Sequence, residues 1–332
     1  MYAVTLGLCT AVLWAGATLA LRAAAGAIPG DSVSLWFLLE TTLLLIPLFL
    51  ISESRVDLGA TTIAVAGLAG FLQGLATLAF RRALATTEVS VVAPLVSLEG
   101  AFAALAATIA GGPAGVLMVT GLTVAAVGAI TLGLPGRRAA WTPGAGLSIL
   151  AAAGFGAVLW LVGSERQISV IPLTLALNGF ATGALFMVSR GAATMRDQSP
   201  RGHAFIALAG AFNVAGFLVY GDGSRSGSVP VTAMLAAQFG VISVVGGYLV
   251  HGERLSMRQL MGLAALVVGV SAVALGSVRS PGASGHEPAT LHGAARFLGR
   301  CAYPYPPGQI TKRRHDEDRS AHGCARTHSD AR

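Results

Sequence analysis

Apolar runs of about 20 residues follow one another along residues 1–278, and short polar loops separate them. An α-helix rises about 1.5 Å per residue, so a run of about 20 residues can cross a hydrocarbon core of about 30 Å. We predict ten such spans, at 2–22, 32–51, 60–80, 87–110, 114–134, 144–163, 168–189, 203–220, 229–250 and 257–278. Backbone polar groups inside a bilayer must be satisfied within helices. The sequence therefore predicts an all-α integral membrane protein with ten transmembrane helices.

The composition favours a membrane protein over a soluble one. Hydrophobic residues make up 54% of the chain and charged residues only 11%, against about 25% charged residues in an ordinary soluble domain. The net charge of +7 does not indicate nucleic-acid binding, because more than half of it comes from the region after the last span. The three cysteines show no metal-binding or disulfide spacing. We predict no metal site, no cofactor and no nucleic-acid partner.

The two ends of the chain each have an alternative interpretation. Residues 1–25 resemble a signal peptide in length, but no basic residue precedes the apolar run and Arg22 follows it, which favours a retained first span. Residues 279–332 are rich in Pro, Gly, Arg and His and have no apolar period, which predicts a disordered polar tail. The basic residues of this tail are compatible either with contact to anionic lipid or with no role.

A weak internal repeat relates the two halves of the chain at an offset of 140 to 146 residues. Each identity is weak alone, but all occur in the same order. The matched elements are Ala-Val-Leu-Trp at 11–14 and 157–160, Leu-Ala-Gly at 68–70 and 208–210, Gly100 with Gly240, Gly121 with Gly262 and Gly128 with Gly269. We therefore predict one five-helix repeat at 1–136 and a second at 143–278. An odd number of spans in each half would place the copies upside down relative to each other, as in many transporters.

The loop between the last two predicted spans carries the most specific motif. Ser256 followed by Gln259 forms a capping-box pattern, which predicts that the last helix begins there. The segment Gly252-Glu253-Arg254-Leu255-Ser256, with Gln259, Gly262 and Gly269 after it, resembles the junction of spans nine and ten in EamA-type permeases of the drug/metabolite transporter superfamily.

Two further motifs carry the same resemblance, namely Leu13-Trp14 with Arg22 after it, and Leu98-Glu99 in the fourth predicted span. The resemblance implies a ten-span fold of two EamA repeats and a transport function. The chain departs from the family at Gly100 and Gly240, where prolines are usual, and at Glu40, where the family is usually apolar. The motifs mark the fold and do not identify a solute.

Glu40 and Glu99 are the carboxyl groups nearest the middle of predicted spans. A charge at that depth costs about 2.5–3.5 kcal/mol, so such a side chain usually faces the bundle interior or water. A desolvated carboxyl group can exchange a proton near neutral pH, which a proton-coupled carrier requires. The alternative is a protonated side chain that is hydrogen-bonded to a neighbouring helix. Pro94 and Gly100 could open the backbone beside Glu99, which favours a functional role there; for Glu40 both interpretations stay open.

Six uncharged side chains are further candidates for lining a shared cavity: Gln73, Asn178, Asn213, Gln238, Trp14 and Trp160. Gln73 and Asn213 are equivalent at offset 140, and the two tryptophans are equivalent in the Ala-Val-Leu-Trp repeat. Equivalent placement in two inverted copies favours cavity lining. Amides inside a membrane also join helices, for about 0.6 kcal/mol each, and tryptophans also face lipid, so both interpretations stay open.

These features predict a secondary transporter that moves a small metabolite or drug-like solute by alternating access, with proton coupling as one option. A transport-inactive membrane subunit or sensor is the alternative. No zinc-protease helix or serine-hydrolase elbow supports an enzyme, and no Walker motif supports direct ATP drive. The expected partners are a small-molecule solute and membrane lipid. We expect a monomer or a homodimer in the cell membrane, specifically a bacterial inner membrane.

The orientation of the chain in the membrane stays open. The resemblance implies cytoplasmic termini, whereas the distribution of loop arginines favours the opposite orientation.

Overall fold

The computed structural model describes nine stretches of the chain, and all of them lie in one compact unit, Met1–Thr290. The described residues are 2–28, 31–52, 59–110, 115–133, 143–165, 168–188, 199–226, 229–252 and 256–279. The tail from residue 280 onward and the Glu253-Arg254-Leu255 part of the family-like junction lie outside the described residues.

Twelve α-helices run through the described stretches, which contain no β-strand. They are α1 Tyr2–Ala27, α2 Ser32–Ile51, α3 Ala60–Thr86, α4 Val89–Val96, α5 Glu99–Ile109, α6 Val116–Gly133, α7 Pro143–Ser164, α8 Val170–Val188, α9 Pro200–Ser226, α10 Val229–Ala236, α11 Phe239–His251 and α12 Met257–Arg279. The predicted all-α class is confirmed. The capping box is also confirmed, because the Ser256 backbone N–H donates to Gln259 Oε1 at 2.9 Å and the Gln259 N–H donates back to Ser256 Oγ at 3.3 Å.

Eight segments of the described chain are long and apolar enough to cross a membrane, and two shorter apolar helices, Val116–Thr131 and Met257–Val273, accompany them. These segments coincide with the ten predicted spans, so the chain is a multi-pass membrane protein. Helix α9 is longer than its predicted span and continues through Gly221-Asp222-Gly223, which the sequence placed in a loop. Hydropathy marks only the part of a helix that lies in hydrocarbon, and polar ends can extend beyond it. The ten-span inverted repeat stays a prediction.

Helix contacts occur in matched sets when each helix of the first half is compared with its counterpart five spans later. Helix α1 packs against α9 as α7 packs against α3, and α2 packs against α9 as α8 packs against α3. Likewise, α4 and α5 pack against α7 as α10 and α11 pack against α1. Between α2 and α8, the hydroxyls of Thr42 and Thr182, 140 residues apart, lie 3.1 Å from each other. This pattern is what two related halves packed about a pseudo-two-fold axis would produce.

The contact between α6 and α12 depends on four glycines. Gly121 lies against Gly269, and Gly128 lies against Gly262. A Cβ atom built at Gly128 would lie 2.4 Å from the backbone nitrogen of Leu266, and one at Gly269 would lie 2.3 Å from that of Ala125. Neither neighbour can move without moving a helix backbone, so these helices pack at a distance that only glycine permits.

The fourth and ninth predicted spans are both broken near their middle. Helix α4 stops before Ser97 and α5 starts at Glu99, while α10 stops before Ala237 and α11 starts at Phe239. At the first break the Leu98 N–H donates to Leu95 O at 3.3 Å instead of to Pro94 O, which leaves the Pro94 carbonyl outside the regular helix pattern. Side chains satisfy freed carbonyls: Ser97 Oγ donates to Pro94 O at 2.7 Å, and Gln238 Nε2 donates to Met234 O at 3.4 Å.

Glycines replace the prolines expected from the family where the two broken spans cross. A Cβ atom at Gly100 would lie 2.9 Å from Ala237 Cβ, and one at Gly240 would lie 2.8 Å from Ser97 Oγ. Each glycine therefore packs against the break of the other span. The crossing places the start of α5, and with it Glu99, in the interior of the bundle.

The connection between α1 and α2 is tied to the end of α3 by Asp31. Arg82 Nη2 donates to Asp31 Oδ2 at 2.6 Å, and Arg81 Nη1 lies 3.6 Å from Asp31 Oδ1. The hydrogen bond from Arg82, together with the positive charge of both arginines, holds the pKa of Asp31 below its usual value of 3.8. Arg225 on α9 donates in a comparable way to the carbonyl of Ile168 between α7 and α8.

We predict that Asp31→Asn lowers thermal stability at neutral pH and that this difference disappears in acid. Because the native pKa lies below the unfolded one, the ionised group stabilises the fold above pH 3.8, and the effect is lost as the pH falls through the native pKa. A partly exposed ion pair of this kind contributes about 1 kcal/mol or less. The measurement is Tm in detergent for both chains over a pH series, with Glu88→Gln as the charge control. A Tm difference that persists at low pH would contradict this role for the carboxylate.

Candidate functional site

A cavity lies between helices from both halves of the chain. Its empty space, counted together with its opening to the surroundings, is about 590 Å³. The lining residues are Trp14, Ala17, Thr18, Leu21, Phe37, Gln73, Thr77, Phe80, Val96, Glu99, Phe155, Val158, Leu159, Asn213, Phe217 and Phe239. The helices that contribute them are α1 to α5 from the first half and α7, α9 and α11 from the second. A molecule in the cavity would therefore contact both halves.

Glu99 provides the only carboxyl group among these lining residues, and none of them is basic. It is the first residue of α5, directly after the break in the fourth span, and is only 4% exposed. Its Oε1 atom has no hydrogen-bond partner among the described residues. The helix break thus brings an unpaired carboxyl group to the wall of the cavity.

Other buried polar atoms around the cavity also lack a partner in the described part of the chain. They are Trp14 Nε1, Gln73 Oε1, Thr77 Oγ1 and Asn213 Nδ2. An unsatisfied buried polar group costs about 1–3 kcal/mol, and native proteins rarely retain several of them together. The arrangement offers both donors and acceptors to a polar solute. We call Gln73, Thr77 and Glu99, three polar residues of the first half that line the cavity, the polar cluster.

Aromatic rings form much of the remaining surface. Trp14 contacts Phe217 and Phe239 with ring centroids 5.5 and 6.5 Å apart, both edge-to-face. We call these three residues the aromatic cluster. Phe80 and Phe155 form a second edge-to-face pair, 6.2 Å apart. Sequence reasoning missed the four phenylalanines in these contacts. The repeat offset of 140 could have indicated two of them, because Phe217 and Phe239 lie 140 residues after Thr77 and Glu99.

Four of the eight residues predicted from the sequence line this cavity, namely Trp14, Gln73, Glu99 and Asn213. Gln73 and Asn213, predicted to be equivalent, do lie on the same cavity. Trp160 is half-buried and is not among the lining residues. Phe155 of the same helix lines the cavity instead, and its ring lies 6.2 Å from the Phe80 ring.

Asn178 and Gln238 lie outside the cavity lining and contact the backbone of their own helices. Asn178 is fully buried on α8 and donates from Nδ2 to Thr174 O at 2.9 Å. Gln238 satisfies a carbonyl at the break between α10 and α11. These contacts favour the structural interpretation of both amides.

Glu40 also lies outside the cavity lining, and it has a partner that the sequence analysis missed. Its Oε1 lies 2.8 Å from Nδ1 of His203 near the start of α9. The His203 ring in turn packs edge-to-face on Trp36, with centroids 4.8 Å apart. This half-buried pair joins α2 to α9. For Glu40, the contact favours the second interpretation given above, a side chain hydrogen-bonded to a neighbouring helix, and the partner is a histidine.

The apolar helices described above define a multi-pass membrane protein. Residues 143–275 match the model of the EamA-like transporter family. The resemblance predicted from the sequence is thereby confirmed over these residues, and it is consistent with a permease of the drug/metabolite transporter superfamily. That family consists of membrane transporters, which fits a small-molecule solute and a lipid environment.

Solved structures support the fold. The crystal structure of one protein, 19% identical in sequence, superposes on this chain with a TM-score of 0.60. The match covers 84% of this chain and 98% of the other chain. At that identity the likeness concerns the fold alone. No curated protein matches the chain by sequence.

Proposed function

We propose that this chain is a secondary transporter that moves a small solute across the cell membrane by alternating access between two inverted five-helix halves. The observation that carries the proposal is a cavity bordered by both halves, which contains an unpaired carboxyl group and several unsatisfied polar atoms. Transporters of this plan bind their solute near the bilayer midplane where two repeats meet, often beside broken helices. The breaks at 97–98 and 237–238 fit that plan.

The matched helix contacts support the proposed repeats. Rocking of one half against the other around a fixed site would expose the cavity to each side of the membrane in turn. Both halves lie in one chain, so a monomer is sufficient for this cycle. We further propose that Glu99 couples solute movement to protons and that the membrane is a bacterial inner membrane.

The test is solute movement by the full chain in proteoliposomes, with amino acids, nucleosides, sugars and aromatic amines as probes. We expect uptake of at least one class above that of protein-free vesicles. Absence of movement for every class, from protein that keeps its helical circular dichroism and a cooperative Tm, would favour the transport-inactive subunit or sensor instead. Chemical conversion of a probe without its movement would favour an enzyme.

A further inference from the structure

We propose that the cavity recognises an amphipathic aromatic amine, with a positively charged nitrogen at the polar cluster and a ring at the aromatic cluster. The inference rests on the proposed function, since it names the solute class of the same cavity. The inference is based on the chemistry of the lining residues, because the first half of the chain contributes polar groups at positions where the second half contributes aromatic rings.

The charge of the lining residues excludes one class of solute and favours another. Glu99 is the only ionisable group among them, and no arginine, lysine or histidine accompanies it. An anionic solute would be desolvated beside this carboxyl group without any counter-charge, which is costly in a low-dielectric interior. A cationic nitrogen there would instead form a charge-assisted hydrogen bond with the unpartnered Oε1.

The free acceptors match an ammonium group. Gln73 Oε1 and Glu99 Oε1 are acceptors without partners, and the Thr77 hydroxyl can also accept. An ammonium group carries three donors and no acceptor, so its hydrogen-bonding chemistry matches these acceptors, and its charge favours the Glu99 carboxyl group among them. The unpartnered donors Trp14 Nε1 and Asn213 Nδ2 would be satisfied by an acceptor elsewhere on the solute.

The ring contacts favour an aromatic body over an aliphatic one. The aromatic cluster presents an indole and two phenyl groups already in edge-to-face geometry. A planar ring added to such a cluster gains stacking or edge-to-face contacts beyond its buried area, and a nearby cation gains attraction to the ring faces. At the sequence level, Glu99 and Phe239 occupy equivalent positions in the two halves, as do Thr77 and Phe217, so one half supplies polar groups where the other supplies rings.

The test is equilibrium binding of three radiolabelled probes to the full chain in detergent. The probes are 2-phenylethylamine, which has ring and charge; 3-phenylpropionate, which has the ring with the opposite charge; and 2-cyclohexylethylamine, which has the charge without the aromatic ring. We expect the Kd of 2-phenylethylamine to be lower than that of either other probe by about ten-fold or more. Equal or tighter binding of the anion, or of the cyclohexyl amine, would overturn the inference.

Two pairs of variants locate the binding site. Glu99→Gln and Phe239→Leu should each weaken 2-phenylethylamine binding by about ten-fold, while the matched controls Glu88→Gln and Phe186→Leu, exposed and outside the cavity lining, should not change it. Phe239→Leu should also reduce the preference for the phenyl over the cyclohexyl amine, a change that a merely structural defect would not produce. Equal weakening by the controls would contradict the assigned site.

The outcomes separate this inference from the proposed function. Vesicle uptake of a sugar or an acidic solute, without selective binding of the amine, would leave a transporter and reject the aromatic-amine site. Selective amine binding by a chain that moves none of the probes across vesicles would support the site and reject transport.

Discussion

Glu99→Gln is expected to lower solute-dependent proton flux by about ten-fold or more, while the chain stays folded. Glutamine keeps the size of the side chain and its ability to hydrogen-bond, but it cannot release or take up a proton. Glu99 is the only carboxyl group among the lining residues and is 4% exposed, so no other lining group can replace it. The measurement is the response of a pH-sensitive dye inside proteoliposomes when a transported solute is added outside.

Two further glutamates make this experiment selective. Glu88→Gln removes an exposed carboxyl group on the residue before α4 and should leave proton flux unchanged. Glu40→Gln removes the carboxyl group that is hydrogen-bonded to His203 on α9 and distinguishes the two candidates for coupling. Proton flux that survives in Glu99→Gln and disappears in Glu40→Gln would move the coupling site to the Glu40–His203 pair. Solute movement without proton flux in the unsubstituted chain would show a facilitator or an exchanger.

The positions of the helices were predictable from the sequence because bilayer thickness imposes a length on every apolar run. The same is true of the start of α12, since a capping box is a local pattern of two side chains and two backbone N–H groups. The break beside Glu99 was anticipated from Pro94 and Gly100, which lie close to it in the sequence on either side. The matching break after Ala236 has no proline within it, and only the crossing of the two spans reveals it.

The cavity lining was predicted only in part, because it depends on helix rotation. Pairing Trp14 with Trp160 uses an offset of 146, whereas Gln73 and Asn213 are paired at an offset of 140. Six residues turn a helix by about 240° beyond one full turn, so the two offsets place a side chain on different faces of the helix. A match of four common membrane residues carries too little information to set that register. Gln73 and Asn213 both line the cavity, and their offset of 140 agrees with the offsets of 140 and 141 between the paired glycines.

Contacts between distant helices were beyond sequence reasoning. Glu40 and His203 are 163 residues apart, and nothing local to either residue indicates the other. The aromatic cluster could not be predicted either. The sequence of an apolar run does not indicate whether a phenylalanine in it faces lipid, the bundle core or a cavity. The repeat offers the one usable signal: adding 140 to Thr77 and Glu99 gives two of the rings that share their cavity.

The second large effect is expected for Gly269→Ala, which should lower the free energy of unfolding by about 1–3 kcal/mol. The added Cβ would lie 2.3 Å from the backbone nitrogen of Ala125 and 2.6 Å from the carbonyl oxygen of Gly121. Both are backbone atoms, so α12 must separate from α6 to accept one methyl group. Thermal unfolding in detergent, followed by circular dichroism and by recovery of monodisperse protein, measures the loss.

Gly183→Ala is the matched control, because a Cβ on this glycine of α8 would have no neighbour within 4 Å. The general preference of helices for alanine over glycine, about 1 kcal/mol in water, acts in both variants, so the difference between them isolates the cost of close packing. Gly128→Ala should cost about as much as Gly269→Ala, since its Cβ would lie 2.4 Å from the backbone nitrogen of Leu266 in the same interface. Equal stability of Gly269→Ala and Gly183→Ala would contradict the close approach of α6 and α12.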